Sequence, residues 1–447
     1  MNITRIEAIP YSIPYVHPLH FASGSVTEAD HVLVRVHTDE GIVGTADTPP
    51  RPYTYGETQK SIVAVIEDIF SPQLSGLDAF ARERMQTVMD RTFHNQTAKG
   101  AVDIAVWDAI GQLLGQPVST LLGGYTDHMS VSHMLGFKPA EQLLEIALEF
   151  RETYGITTFK LKTGRHPVSL DVEAARVLRE GLGPEARIYM DANRGWSANE
   201  ASEVLRLTAD LGMEFLEEPD DAREVMGRRR LVSTSPIPIA ADESAPNLGT
   251  AAKELLSGGA NLLAIKTARS GFTEATKIVG LAEGLGVDVY VGNQIDTQVG
   301  TIASVTFGAA FSHTSKRAGE LSNFLDMADD LLTEPLRIVD GKIHVRDVPG
   351  VGTVIDEDKL AYYRAASCVR SWAGGDTGVV PALDSRPSRA RYSCSGTGPR
   401  ARCGNRCRTW YRSRPRLMSF HGAEVAWYVF WQERNSSRSS GWPYRWR

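Results

Sequence analysis

Short apolar runs recur through the middle of the chain, and each closes on a polar cluster before a longer stretch of helical periodicity begins. The clusters are Lys160-Leu161-Lys162, Asp191-Ala192-Asn193, Glu217-Glu218-Pro219, Asp242-Glu243-Ser244 and Ile265-Lys266-Thr267. From Lys162 to Asp191, Glu217, Asp242 and Lys266 the steps are 29, 26, 25 and 24 residues. One strand, loop, helix and loop fill such a step, so the pattern predicts a (β/α) barrel, whose parallel strands end on one rim. Strands are predicted at 130–135, 158–161, 187–190, 214–216, 237–240, 262–265, 288–291 and around 319–321, with an amphipathic helix at 198–211 between two of them.

Residues 1–127 read differently. Alternation at 3–13 and 32–37, with Asp39-Glu40-Gly41 as a turn before 42–46, predicts a small antiparallel sheet. Helical spacings follow at 57–70, 78–93 and 97–114, so an α+β domain precedes a barrel at 128–325. The run 335–345, centred on Asp340-Gly341, predicts a hairpin outside the barrel, in a segment 326–365 that returns to the first domain.

From about Ala366 the composition breaks: fifteen arginines, no lysine, four acids, all four cysteines and six of the eight tryptophans. With no period of 2 or 3.6 there is no face to bury, and 366–447 reads as an irregular, disordered tail or as frameshifted read-through. Its alternative is a nucleic-acid arm, arginine neutralising phosphate and aromatics stacking on bases. Cys403 and Cys407 have no second pair to complete a zinc tetrahedron. The tail carries +11 of an overall −6, leaving −17 on the remainder, which makes nucleic acid an unexpected partner. Residues 1–365 contain no cysteine, and neither an apolar leader nor a membrane-length run is seen, so a cytoplasmic protein without a membrane partner is expected.

Asp191, Glu217 and Asp242 offer hard oxygen ligands from three neighbouring strands, a set suited to Mg²⁺ or Mn²⁺. A strand-end acid can instead cap the next helix, a reading that covers one such residue better than three in order. Lys160 and Lys162 share a strand face, and inward lysines are costly unless charge surrounds them. Asn193, two residues beyond Asp191, is expected to share its face in an extended segment and orient the ligands.

The ordered set Lys-x-Lys, Asp-Ala-Asn, Glu-Glu-Pro, Asp-Glu-Ser and a lone Lys resembles the enolase superfamily, in its muconate lactonizing enzyme subgroup, over residues 1–365. The resemblance implies an α/β fold, a (β/α)7β TIM-like barrel with an N-terminal α+β capping domain completed by the C-terminal segment, and a homo-oligomer. It implies that Glu217 rather than Glu218 is the metal ligand, that Lys162 exchanges the α-proton of the substrate and that Lys160 holds its carboxylate. Lys266 would face the substrate from the opposite rim as a second base or an electrostatic support. Where the mandelate racemase branch has a histidine this chain has Asn293-Gln294-Ile295-Asp296, and His313 is expected on a helix surface. Where dipeptide epimerases carry Asp-x-Asp it has Glu320-Leu321-Ser322, so Glu320 is expected to bond the reacting end of the substrate or relay a proton, an ordinary strand-end acid being the alternative. Two lid stretches, 18–25 and 49–56, supply His20, Arg51, Tyr53 and Tyr55 as candidates for a distal carboxylate, and Gln294 joins them as a substrate-binding candidate. A divalent cation, three carboxylates and three lysines sum to about +2, which matches a dicarboxylate substrate. The expected activity is metal-dependent cycloisomerization of cis,cis-muconate to muconolactone through an enolate, in aromatic degradation. The same groups serve N-acylamino acid racemases and o-succinylbenzoate synthases of this subgroup.

Overall fold

The computed structural model describes residues 1–21 and 24–372, with side chains at 19–26 and 365–372 outside that description. β1 (Ile3–Phe21), β2 (Gly24–Thr38) and β3 (Val43–Thr48) form an antiparallel sheet in that order. Tyr11, Ile13 and Tyr15 alternate into its core. β1 and β2 run beyond the alternation and pair as far as Phe21 with Gly24, so the described part of the first lid stretch lies in these paired strands. The first helical stretch begins behind a Thr58–Ser61 capping box, and Gln59–Ala64 passes into a π-helical turn, Val65–Phe70. Helices Arg82–Met89 and Gln96–Leu114 complete the domain.

The barrel strands are β4 (His128–Leu135), β5 (Thr158–Lys162), β6 (Arg187–Asp191), β7 (Leu216–Glu217), β8 (Ile239–Ala241), β9 (Leu262–Ile265), β10 (Asp288–Val291) and β11 (Gly319–Glu320). They pair in parallel, in the hydrogen-bonded order β10, β9, β8, β7, β6, β5, β4, β11. Lys162 stands beside Asp191 in this register and Asp191 beside Glu217. Between strands, helix Ala198–Leu207 starts behind a Ser197–Glu200 capping box and buries Ala198, Ala201, Val204 and Leu205, one helical stripe. Tyr189, Phe215, Ala240, Leu262, Ala264 and Tyr290 fill the barrel interior below the strand ends. Burying such a ring is worth on the order of 2–3 kcal/mol, so the floor of the rim is packed rather than open.

Helix Gln96–Leu114 docks on barrel helix Thr267–Gly284 through Gly100, where a Cβ would stand 2.8 Å from the Ala268 carbonyl oxygen. That barrel helix is kinked at Gly271, φ +62°. Asp103 recaps it, accepting from the Phe272 and Thr273 N–H groups at 2.7 and 2.8 Å. Because the helix starts one residue after Lys266, the capping domain helps fix where Lys266 stands.

The expected 335–345 hairpin takes another form. Around Asp340 and Gly341, both at positive φ, only Val339 and Lys342 bridge, and β12 (Lys342–His344) pairs antiparallel with β4 instead. The cause is an edge to be filled: β4 meets β5 only from Ser132 onward, so its first residues need another partner for their backbone groups. Beyond β12 the chain meets the capping domain, Val118 N–H donating to the Gly350 carbonyl at 2.8 Å and Val351 N–H to Asp108 Oδ1 at 2.7 Å. A last helix, Glu357–Trp372, packs on β1, so the compositional break at 366 falls within a helix and not at its end. The rest of the arginine-rich tail, with Cys403 and Cys407, lies outside the described residues. Among the described residues no helix is long and apolar enough to cross a membrane.

Candidate active site

Strand alternation turns Lys160 and Lys162 inward at the end of β5, where they meet acids from neighbouring strands. Lys160 Nζ lies 2.7 Å from Asp191 Oδ2 and 2.7 Å from Glu320 Oε1, and donates to Glu217 Oε1 at 3.0 Å. Lys162 Nζ donates to Asp191 Oδ2 and to Asn193 Oδ1, each at 2.6 Å. Across the rim Lys266 Nζ donates to Asp242 Oδ2 at 2.5 Å, and Arg269 Nη1 to Asp242 Oδ1 at 2.8 Å.

Burial disfavours the charge on Lys160, yet the carboxylates of Asp191, Glu217 and Glu320 outweigh it and hold its pKa well above the ordinary value. Burial likewise opposes ionisation of Asp191, and Lys160 and Lys162 reverse this, bringing it down to about 2. Lys266 and Arg269 depress Asp242 against the same penalty. Glu217 goes the other way: burial and then the Asp191 carboxylate push it well up, in spite of Lys160. Lys160 Nζ also lies 2.9 Å from Glu217 Oε2 as an ion pair, although that buried oxygen accepts no well-aligned hydrogen bond among the described residues. Crowded by the Asp191, Glu320 and Asp242 carboxylates, Glu217 would be stabilised as a carboxylate by further positive charge. With Asp191 and Asp242 it makes an all-carboxylate donor set, which fits a hard divalent cation such as Mg²⁺ or Mn²⁺.

Asn193 does not continue an extended segment. Its φ is +43° and that of Arg194 +64°, a turn held by the Asn193 N–H donating to Asp191 Oδ1 at 2.9 Å. The side chain still reaches the site and bridges Lys162 to Glu243, donating to Glu243 Oε1 at 2.9 Å. Burial, then the neighbouring Asp242 and Glu218 carboxylates, lift Glu243 to about 7. Glu218 accepts from the Asp242 N–H at 2.6 Å and pairs with buried Arg228 at 3.1 Å, so it supports the loop that carries Asp242.

Glu320 accepts from Lys160, from the Tyr189 hydroxyl at 3.0 Å and from the Asn293 N–H at 3.0 Å. Lys160, Lys162, Asp242, Lys266 and Glu320 line a cleft of about 870 Å³, part of it open to solvent, whose walls also include Arg51, Tyr53, Gln294 and Asn323. Gln294 is buried in that wall with neither amide atom hydrogen-bonded among the described residues. Tyr53 is largely exposed. Tyr55 also lines the cleft, but its hydroxyl accepts from Arg269 Nη1, which ties it to the Asp242 side instead of a distal position. The backbone of His20 pairs with Ser25, while its side chain lies outside the described residues. His313, expected at the surface, is buried with Nε2 2.8 Å from the Val287 carbonyl oxygen, because its 3₁₀ turn packs beneath β10.

Four contributors escaped the sequence reading: Tyr189, Arg228, Glu243 and Arg269. Tyr189 lies two residues before Asp191 on one strand, so the period of two carried its signal. No comparable signal marks Arg269, whose partners Tyr55 and Asp242 are 214 and 27 residues away. Elsewhere, Asp127, His128 and His344 hold potential ligand atoms within 4.8 Å of one another, at the end of β4 away from this cleft.

Residues 5–123 match the family model of the mandelate racemase / muconate lactonizing enzyme N-terminal domain, and 142–359 that of the enolase C-terminal domain-like proteins. The fold is similar to a muconate lactonizing enzyme from Mycobacterium smegmatis, solved with muconolactone, at 57% identity and TM-score 0.80, covering 81% of this chain and 99% of that one. Muconate cycloisomerase 1 of Rhodococcus opacus is 30% identical over 365 residues, 80% of this chain and 98% of its own. L-Ala-D/L-Glu epimerase of Bacillus subtilis is also 30% identical, over 314 residues, 69% of this chain and 86% of its own.

Proposed function

Because the chain belongs to the mandelate racemase / muconate lactonizing enzyme family of the enolase superfamily, whose members are enzymes, we propose that it is a muconate cycloisomerase. The observation that carries this reading is the charge set of the cleft. Lys160, Lys162, Lys266 and Arg269 face Asp191, Glu217, Asp242 and Glu320, four cations against four carboxylates. Over these eight groups a divalent cation would leave about +2, to which Arg51 of the cleft wall adds, a positive balance suited to a dicarboxylate.

Asp191, Glu217 and Asp242 would hold the cation. When bound it supplies a Lewis acid for a substrate carboxylate, stabilising negative charge that grows along the reaction. Lys160, fully charged and fixed by three acids, orients that carboxylate and adds to the same stabilisation. The distal carboxylate of cis,cis-muconate adds to a carbon–carbon double bond: one C–O bond forms and the π pair passes toward the proximal carboxylate as an enolate. Lys162 gives its proton to the α-carbon, one C–H bond forms, and muconolactone results. Asn193 orients Lys162 through the 2.6 Å hydrogen bond. Lys266 stabilises the enolate from the opposite side. Arg51, in the cleft wall, provides a cation for the distal carboxylate, with Gln294 beside it.

A racemase or epimerase reading uses the same two lysines as opposed bases, and the relatives that carry those names make it the runner-up. Incubation with cis,cis-muconate and Mg²⁺ or Mn²⁺ tests between them. Loss of the diene absorbance with formation of muconolactone supports the proposal; α-proton exchange of N-acylamino acids or dipeptides without lactonization replaces it with the second reading.

A further inference from the structure

The two ends of β4 present opposite chemistries. Its C-terminal end borders the oxygen-rich cleft, whereas its first residue, His128, lies directly opposite His344 of β12 in an antiparallel pair. Asp127 precedes the strand. We propose that Asp127, His128 and His344 form a second metal site, for a borderline ion of the Zn²⁺, Ni²⁺ or Cu²⁺ class, separate from the catalytic cleft.

The geometry requires little rearrangement. Asp127 Oδ1 is 2.7 Å from His128 Nδ1, and Asp127 Oδ2 is 3.8 Å from His344 Nδ1. One potential ligand atom from each of the three residues lies within 4.8 Å of the others, and the two imidazole rings are 5.6 Å apart. In a tetrahedral zinc site with bonds of about 2.0–2.1 Å, donor atoms are about 3.3 Å apart, a value the two observed separations straddle. Small side-chain rotations reach it, because the strand pairing already fixes the backbones. The side chains are 80% (Asp127), 30% (His128) and 61% (His344) exposed, so an ion can enter from solvent and keep water in its fourth position.

Donor type sets the selectivity. Two imidazoles and one carboxylate suit zinc, nickel or copper, while Mg²⁺ and Mn²⁺ favour the all-oxygen set at the other end of the barrel. The ligands come from positions 216 residues apart, so the site exists only in the folded chain. Its ion would fasten β12, the strand that covers the open edge of β4, and stabilise the fold by mass action.

The test is calorimetric titration of Zn²⁺ into the full chain held in saturating Mg²⁺, beside His344→Gln and Asp127→Asn. Wild type is expected to bind Zn²⁺ in a step that each variant weakens by about 10–100-fold or more, the scale on which lost partners weaken metal sites. Mg²⁺-supported turnover and the circular dichroism spectrum should stay unchanged in both variants. An identical Zn²⁺ isotherm in wild type and both variants, or no Zn²⁺ step in wild type, overturns the proposal.

Discussion

The Asn293 N–H donates to Glu320 Oε2 at 3.0 Å, joining the ends of β10 and β11, the two termini of the barrel's hydrogen-bonded strand order. The other carboxylate oxygen of Glu320 accepts from Lys160 and Tyr189, so one side chain both closes the barrel seam and holds an active-site lysine. Glu320→Ala takes one of three carboxylates from Lys160, leaves the Tyr189 hydroxyl with Ser132 alone and strips the Asn293 N–H of its acceptor. A loss of about 1–3 kcal/mol is expected, the cost of leaving a buried donor unsatisfied, since Asp191 and Glu217 still compensate Lys160. Denaturant titration measures it, and a variant as stable as the parent would show that the seam closes without Glu320.

For the three carboxylates, Asp191→Asn, Glu217→Gln and Asp242→Asn should each abolish turnover, because a neutral amide is a poorer ligand for a hard cation. Circular dichroism should show the barrel retained, and a strong chelator should silence the parent enzyme until Mg²⁺ or Mn²⁺ is returned. Full activity in chelator would contradict the metal assignment.

Asp296 supplies a pH prediction. Burial, and then the Asp47 carboxylate, raise it to about 7. An unfolded aspartate ionises near pH 3.9. Between about pH 4 and pH 7 the folded chain therefore keeps a proton that the unfolded chain has lost. Stability from this group is full below that window, falls as pH rises through it and levels off above. Asp296→Asn removes the dependence and can keep the acceptor for Asn293 Nδ2. The gain in melting temperature over the parent should be larger at pH 8 than at pH 5. An equal change at both would contradict the raised ionisation.

Strand ends were the most legible feature of the chain. Parallel strands place their last residues on one rim, so Lys160, Asp191, Glu217, Asp242 and Lys266 could be brought together from spacing alone. Features built on one-off backbone turns or remote partners were not legible. Asn193 departs from extended geometry because an Asp191 oxygen captures its N–H. The 335–345 segment carries a hairpin signature, yet β4 has an open edge that outcompetes local pairing. Tyr55 reads as a lid aromatic until Arg269, across 214 residues, takes its hydroxyl.

The division of labour between Lys162 and Lys266 is tested most directly by proton exchange at the α-carbon of muconolactone in D₂O. Lactonization and exchange pass through one enolate protonated by one group, so Lys162→Ala should lose both. Lys266→Ala removes an electrostatic contact and should slow turnover by about 10²–10³-fold while exchange remains measurable. Exchange retained in Lys162→Ala and lost in Lys266→Ala would contradict the assignment and make Lys266 the proton donor.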